Sequence, residues 1–198
     1  MEKTMRYAIV DTETTGLDPD RAAILEICVV VLEGGRRVDR FWSRIRPTEE
    51  ELAMAEPKAL EINGYAARPE AWDDAPTFEE VAEKIAAVLD GAVAVGHNVH
   101  FDLAMIRGSF RRHGYAGRVP HRAVDTITLA FEHLFPLGLR SSSMDKIRRF
   151  LGWSAWGAHT AAQDVEDTLA LFQLLYRAGW WTRARIRLAR WAGWRVAV

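Results

Sequence analysis

The pattern of apolar and polar positions changes character along the chain. Tyr7-Ala8-Ile9-Val10 is a short apolar run that stops at acids, Ile24 to Leu32 is a longer one, and Val38 to Ile45 follows it across the turn Glu33-Gly34-Gly35-Arg36. Apolar runs of this length, separated by so short a Gly-Gly connection, predict three strands in an antiparallel meander. After the polar stretch 47–56 the period lengthens. Phe78, Val81, Ala82, Ile85, Val88 and Leu89 share one face at helical spacing, with Gly91 as the stop. Ala92 to Val95 reads as a short buried strand, 96–114 as a helix closed by Gly114, and Ala123-Val124-Asp125 as a strand end. Helices are expected near 126–134 and 142–150. Val165, Leu169, Phe172 and Tyr176 mark a further helix, for which Gly179 is the expected terminator. A meander followed by strands that alternate with helices predicts an α/β fold, a mixed sheet flanked by helices.

Length and composition add bounds. The 198 residues suit one domain with a short appendage. Cys28 stands alone in an apolar run, which excludes an internal disulfide and fits a core thiol in a reducing compartment. No apolar stretch approaches the ~20 residues of a membrane span, and the N-terminus lacks the layout of a signal peptide, so a soluble, cytoplasmic protein is expected. The net charge of −1 conceals an asymmetry. Residues 177–198 hold six arginines (Arg177, Arg183, Arg185, Arg187, Arg190, Arg195) and no acid, so the other 20 basic residues face all 27 acids. An acidic body of about −7 carries a basic tail.

Three acid-containing segments suggest chemistry. In Asp11-Thr12-Glu13-Thr14-Thr15-Gly16, the two acids lie two apart where an apolar strand ends. Side chains two apart on a strand share a face, so both carboxylates can aim at one point. Adjacent carboxylates repel unless a cation lies between them. In the second segment, His97-Asn98-Val99-His100-Phe101-Asp102, Asn98 is placed to cap the next helix and Asp102 falls in its first turn, where the helix dipole favours an anion. The third, His159-Thr160-Ala161-Ala162-Gln163-Asp164, contains a capping box of Thr160 and Gln163. His159 and Asp164 then occupy the two positions that a hydrophobic staple would join. A histidine and a carboxylate there serve the fold less well than an apolar pair, which points to function.

These three segments together, in this order, resemble the three motifs of the DEDDh group of 3′–5′ exonucleases, the DnaQ-like superfamily of the proofreading epsilon subunit, RNase T and oligoribonuclease. The resemblance covers roughly residues 5–178 and includes 124–130 and 141–153 between the second and third motifs. It implies a ribonuclease H-like fold and a two-metal 3′–5′ exonuclease releasing nucleoside 5′-monophosphates. Asp11, Glu13, Asp102 and Asp164 would bind two Mg²⁺ ions, with Mn²⁺ able to substitute, and His159 would act as general base. The chemistry agrees, since two metal ions can activate a water and offset charge on the phosphate and leaving oxygen, and Mg²⁺ takes a few carboxylates plus phosphate oxygens. His97 precedes Asp102 by five residues, as His159 precedes Asp164, so spacing does not choose the base. The resemblance selects His159 and leaves His97 a structural part in the strand-to-helix turn.

The resemblance also implies that Thr14, Thr15, Gly16 and Leu17 hold the terminal nucleotide, that Ile62 in Ala59-Leu60-Glu61-Ile62-Asn63-Gly64-Tyr65 acts as a wedge, and that Phe101 stacks on a base. At Asn63 the family usually has histidine. Arg107, Arg111, Arg112, Arg118 and Arg122 are candidates for phosphate contacts or for a solvated face. The first segment is most similar to the polymerase-linked proofreading branch, so single-stranded DNA is the expected substrate. RNA trimming and a non-enzymatic strand-binding or polymerase-docking module are the alternatives.

Residues 1–178 are thus the expected exonuclease domain and 179–198 a basic, Trp/Arg-rich tail. Drawn as a helix, the tail puts Trp181, Ala184, Leu188 and Trp191 on one side and Arg183, Arg187 and Arg190 on another. That pattern suits docking to a polymerase, self-association, a membrane surface, a nucleic-acid contact, or packing of the tryptophans back on the body.

Overall fold

The computed structural model describes residues 5–154 and 160–196. Its single sheet contains β1 (Arg6–Thr14), β2 (Ile24–Glu33), β3 (Arg36–Arg44), β4 (Val93–Gly96) and β5 (Ala123–Asp125) in the order β3-β2-β1-β4-β5. The first three form the expected meander, and β4 and β5 add in parallel. β3 is an edge strand whose Arg36, Arg37, Asp39 and Arg40 are exposed, charges that discourage pairing with another chain.

The helices described are α1 (Glu49–Ala53), α2 (Pro57–Ile62), α3 (Phe78–Leu89), α4 (Val99–Arg112), α5 (Thr126–His133), α6 (Met144–Leu151), α7 (Ala161–Leu175) and α8 (Trp180–Ala192). Alternation along β1 divides them into layers. Ala8 and Val10 face a core built with α3 and α4, whereas Ile9 faces α7 through Ala161, Val165, Leu169 and Phe172. Beyond α7 lies a second apolar cluster: Ala130 and Leu134, Ile147 and Leu151, Leu171 and Leu175, Trp153, Ile186 and Val196.

The structure differs from one local expectation, the terminator of α7, and adds detail at two other places. The polar stretch 47–56 contains α1, nucleated by a capping box in which Thr48 and Glu51 exchange bonds. α7 ends before Gly179: Tyr176 caps it, Arg177 turns the chain at φ 65°, and Gly179 begins α8 instead. The tail is therefore an ordinary helix docked on the body, with Ile186 and Val196 buried and the tryptophans facing water. No helix among the described residues is long and apolar enough to cross a membrane.

Candidate active site

β1 brings the first two acids together. Asp11 and Glu13 lie on the α7 side of the strand, and the register against β2 slips just after Glu13, where Thr14 pairs with Ile24. Such a bulge ends regular pairing and re-aims the strand end. α7 begins beneath this point and presents Asp164 from its first turn, so that one carboxylate oxygen from each of Asp11, Glu13 and Asp164 lies within 4.8 Å of the others.

Asp102 arrives from the opposite layer, in the first turn of α4, and is only 3% exposed. The Thr12 hydroxyl donates to its Oδ1 at 2.8 Å. Asn98 occupies the cap position of α4, but at φ 73° its side chain makes no capping bond. Asp125 at the end of β5 does this work, its carboxylate accepting from the Asn98 and Val99 amides, both at 3.2 Å, and from Ile127 at 2.8 Å. The Thr160 cap forms as expected, accepting from the Gln163 amide at 3.3 Å, but Gln163 reaches forward to Asp167 rather than back.

The electrostatics are those of anions held together against their preference. Burial, then repulsion from Asp102, Asp164 and Glu13, holds Asp11 well above the usual carboxylate range. Burial and the charges of Asp164 and Glu26 push Glu13 up to about 8. Burial raises Asp102 to about 7 against the opposing pull of the Thr12 bonds. Glu26 stands directly opposite Glu13 on β2, which compounds the repulsion. This donor set fits a divalent cation: converging hard oxygen ligands whose burial and mutual repulsion raise Asp11 and Glu13 above the usual carboxylate range.

One cation does enter from the protein. Arg148 on α6, 5% exposed, pairs with Asp167 and lies 3.3 Å from Asp164 Oδ1. With Asp11, His97, Ser143, Met144, Asp145, Asp164 and Thr168 it lines a cavity of about 210 Å³ beside the acids. Arg148, Asp167, Thr12 and Glu26 were not legible in the sequence as parts of the site. Their partners lie 16 to 90 residues away in the chain or across a strand pair, and no motif announces them.

His97 has the structural part expected of it. Its Nε2 donates to the Ser142 carbonyl at 2.7 Å and its Nδ1 lies 2.9 Å from the Thr126 hydroxyl, which itself donates to the Gly96 carbonyl at 3.1 Å. Burial lowers its pKa and favours the neutral form. With both nitrogens engaged it has no lone pair for a water. His159 lies outside the described residues.

The segment after Glu13 is held from beneath. Thr15 is fully buried and its hydroxyl accepts from the Ala23 amide at 2.8 Å, while the Thr14 hydroxyl donates to the Gly16 carbonyl at 2.8 Å. Both side chains are thus spent on shaping the turn. Glu56 covers Gly16 so closely that a Cβ there would stand 2.7 Å from its Oε1, and the same oxygen accepts from the Leu17 amide at 2.9 Å. Asn63 donates to the Thr14 carbonyl at 3.0 Å, which gives this departure from the family pattern a structural purpose, tying α2 to the end of β1. Leu17 and Ile62 stand out at 72% and 52% exposure, free to meet a ligand, whereas Phe101 is half-buried against the core of α3 and α4.

The candidate arginines divide. Arg111 pairs with Asp20, and Arg112 donates to the Pro19 and Ala22 carbonyls, fastening loop 18–23 to α4. Gly108 permits this approach, since a Cβ there would collide with the Pro19 carbonyl. Arg118 and Arg122 border a hollow with Arg6 and Gly91, at the opposite end of β1 from the acids. These four are therefore not aimed at the acid cluster, and Arg107 is exposed on α4.

A five-stranded mixed sheet with converging carboxylates at the end of its central strand defines a ribonuclease H-like nuclease domain. Residues 8–172 match the RNase T-type family model described as "Exonuclease", and the chain belongs to that family. It is 32% identical over 167 residues to DNA polymerase III PolC-type of Thermotoga maritima, covering 84% of this chain and 11% of that protein. It is 30% identical over 169 residues to the 3′-5′ exonuclease DinG of Bacillus subtilis, covering 84% and 17%. The chain thus spans under a fifth of the length of these relatives. Among solved structures, E. coli exonuclease I in complex with a dT13 oligonucleotide superposes with a TM-score of 0.73 at 19% identity, covering 87% of this chain and 41% of that one. A zinc-bound form of the E. coli exonuclease I complex with single-stranded DNA gives 0.74 at 19% identity, covering 95% and 43%.

Proposed function

We propose that residues 1–178 form a divalent-metal-dependent 3′–5′ exonuclease domain that removes nucleoside 5′-monophosphates from the 3′ end of single-stranded DNA, in proofreading or repair, and that residues 179–198 are an appended helix. The observation that carries this reading is the convergence of Asp11, Glu13 and Asp164 within 4.8 Å, where burial and the charges of Asp164 and Glu26 raise Glu13 to about 8. The relatives support the polarity and the substrate: one is named a 3′-5′ exonuclease, another a DNA polymerase, and a structural neighbour was captured with an oligonucleotide.

In this mechanism Asp11, Glu13 and Asp164, with Asp102 in support, would hold two divalent ions, Mg²⁺ or Mn²⁺. When bound, the ions supply a water acidic enough to ionise near neutral pH and offset charge on the phosphate and leaving oxygen. His159 accepts the proton of the attacking water, as a group with an ordinary pKa of about 6.5 can near neutral pH. The water oxygen bonds to phosphorus as the bond to the 3′ oxygen breaks, and that oxygen takes a proton from solvent. Leu17 and Ile62 flank the terminal nucleotide, while Thr14, Thr15 and Gly16 shape the turn that presents Leu17.

The test is a time course on matched 5′-labelled single-stranded DNA and RNA with Mg²⁺, comparing wild type with His159→Ala. A ladder that shortens from the 3′ end, faster on DNA, and is lost in the variant is the expected result. Full activity in His159→Ala would remove that residue as the base. No shortening with either ion would overturn the enzyme reading.

A further inference from the structure

α8 is oriented against the reading of its pattern. The face that meets the body is narrow: Ile186 is fully buried, and Val196 follows it into the same cluster after the turn at Gly193. Arg183 and Arg190 are anchors. The first donates to Glu132 at 2.8 Å, and the second donates to the Phe150 carbonyl at 2.7 Å while lying 3.6 Å above the Phe150 ring. The broad apolar side faces water instead, with Trp180, Trp181, Leu188, Trp191 and Trp194 all exposed and Trp191 86% accessible. Arg187 and Arg195 are exposed alongside.

The location of this surface connects it to the acid cluster. The Val196 amide donates to the Leu151 carbonyl and the Trp153 indole donates to the Val196 carbonyl, each at 2.9 Å, so Trp194 and Arg195 lie over the C-terminal end of α6. The other end of α6, Ser143 to Arg148, lines the cavity beside the acids. The helix has eight residues, about 12 Å at 1.5 Å per residue, which a strand of a few nucleotides spans. The body carries about −7 and repels a polyanion, while residues 177–198 carry six arginines and no acid.

We propose that Trp191, Trp194, Arg187 and Arg195 form a holding site for single-stranded nucleic acid, gripping the strand upstream of its 3′ end. The tryptophans offer faces for unpaired bases and the arginines meet phosphates, the combination by which single strands are held without regard to sequence. This rests on the exonuclease reading for its direction, since the strand must run from α8 along α6 to the acids. A lipid surface would also accept tryptophan and arginine, but it gains nothing from the connection of this surface to the cavity through α6.

The test uses the full chain in EDTA, so that binding is read without cleavage. Fluorescence anisotropy of 5′-labelled dT4 and dT20 is compared for wild type, Trp191→Ala/Trp194→Ala and Arg187→Gln/Arg195→Gln, with circular dichroism to show that each variant is folded. Wild type should bind dT20 at least tenfold more tightly than dT4, and both variants should bring that ratio close to one. The arginine variant should also flatten the slope of log affinity against log salt by about 1.4, two contacts at about 0.7 each. An unchanged length ratio in both folded variants would overturn the proposal. So would capture of wild type by phosphatidylglycerol vesicles, or concentration-dependent dimerisation, lost in variants that still bind dT20 normally. Hydrolysis of thymidine 5′-monophosphate p-nitrophenyl ester by wild type with Mn²⁺ reports the acid cluster alone, so failure of the exonuclease reading is distinguished from failure at α8.

Discussion

Glu13 shows most clearly what the acid cluster costs. Its carboxyl is raised to about 8 and that of Asp102 to about 7, from an ordinary range of about 4. A group whose folded pKa is raised gives stability that is fully present below its unfolded pKa and lost as pH rises through the folded one. Without metal, melting temperature should therefore fall between pH 5 and pH 8. Mg²⁺ or Mn²⁺ should restore it, with a larger gain at pH 8 than at pH 5, because the ion displaces protons from its ligands. Glu13→Gln should flatten the metal-free profile and reduce the metal-dependent gain. Thermal melts in EDTA and in Mn²⁺ across this range measure both; a metal-free melting temperature that rises toward pH 8 would contradict the arrangement.

Among the elements, the junction of β4, β5, α4 and α5 bears most directly on the site. Asp125 caps α4 in place of Asn98 and caps α5 through Ile127, so one side chain starts two helices. Asp125→Ala orphans those amides and should cost about 1–2 kcal/mol, the usual value of a lost cap. The start of α4 also carries Asp102, so activity should fall beyond what the stability loss explains. Urea denaturation and specific activity on a single-stranded oligonucleotide measure the two effects. The start of α4 at Val99 and the first-turn position of Asp102 were legible from the sequence, because caps and periodicity act over a few residues. The partner that completes the cap was not, because it lies 26 residues on and meets Val99 only when β5 pairs with β4.

At the scale of the whole molecule, α8 belongs to the second core. Ile186 and Val196 are buried among Leu151, Trp153 and Leu175. Deleting residues 180–198 should destabilise the protein by about 3 kcal/mol or more, from two aliphatic side chains at about 1.5–3 kcal/mol each. A chemical denaturation midpoint unchanged by the deletion would mean that the helix contributes nothing to the core. Any effect of tail deletion on nucleic acid binding is accordingly mixed with damage to the body, and substitution of the exposed tryptophans and arginines separates the two.

The sequence by itself determined the meander, most of the helices and the order of the three acid segments. These follow from strand and helix periods, turn residues and short motifs, all local in the chain. The tertiary structure alone decided which charges meet: Asp164 with Asp11 and Glu13 from one layer, Asp102 on Thr12 from the other, and Arg148 between Asp164 and Asp167. It also decided which side of α8 turns inward. A helix with apolar residues on two sides is ambiguous as a pattern, and the choice fell to the space left between α6 and its neighbours, which accepts Ile186 and Val196 and leaves the indoles of Trp191 and Trp194 in water.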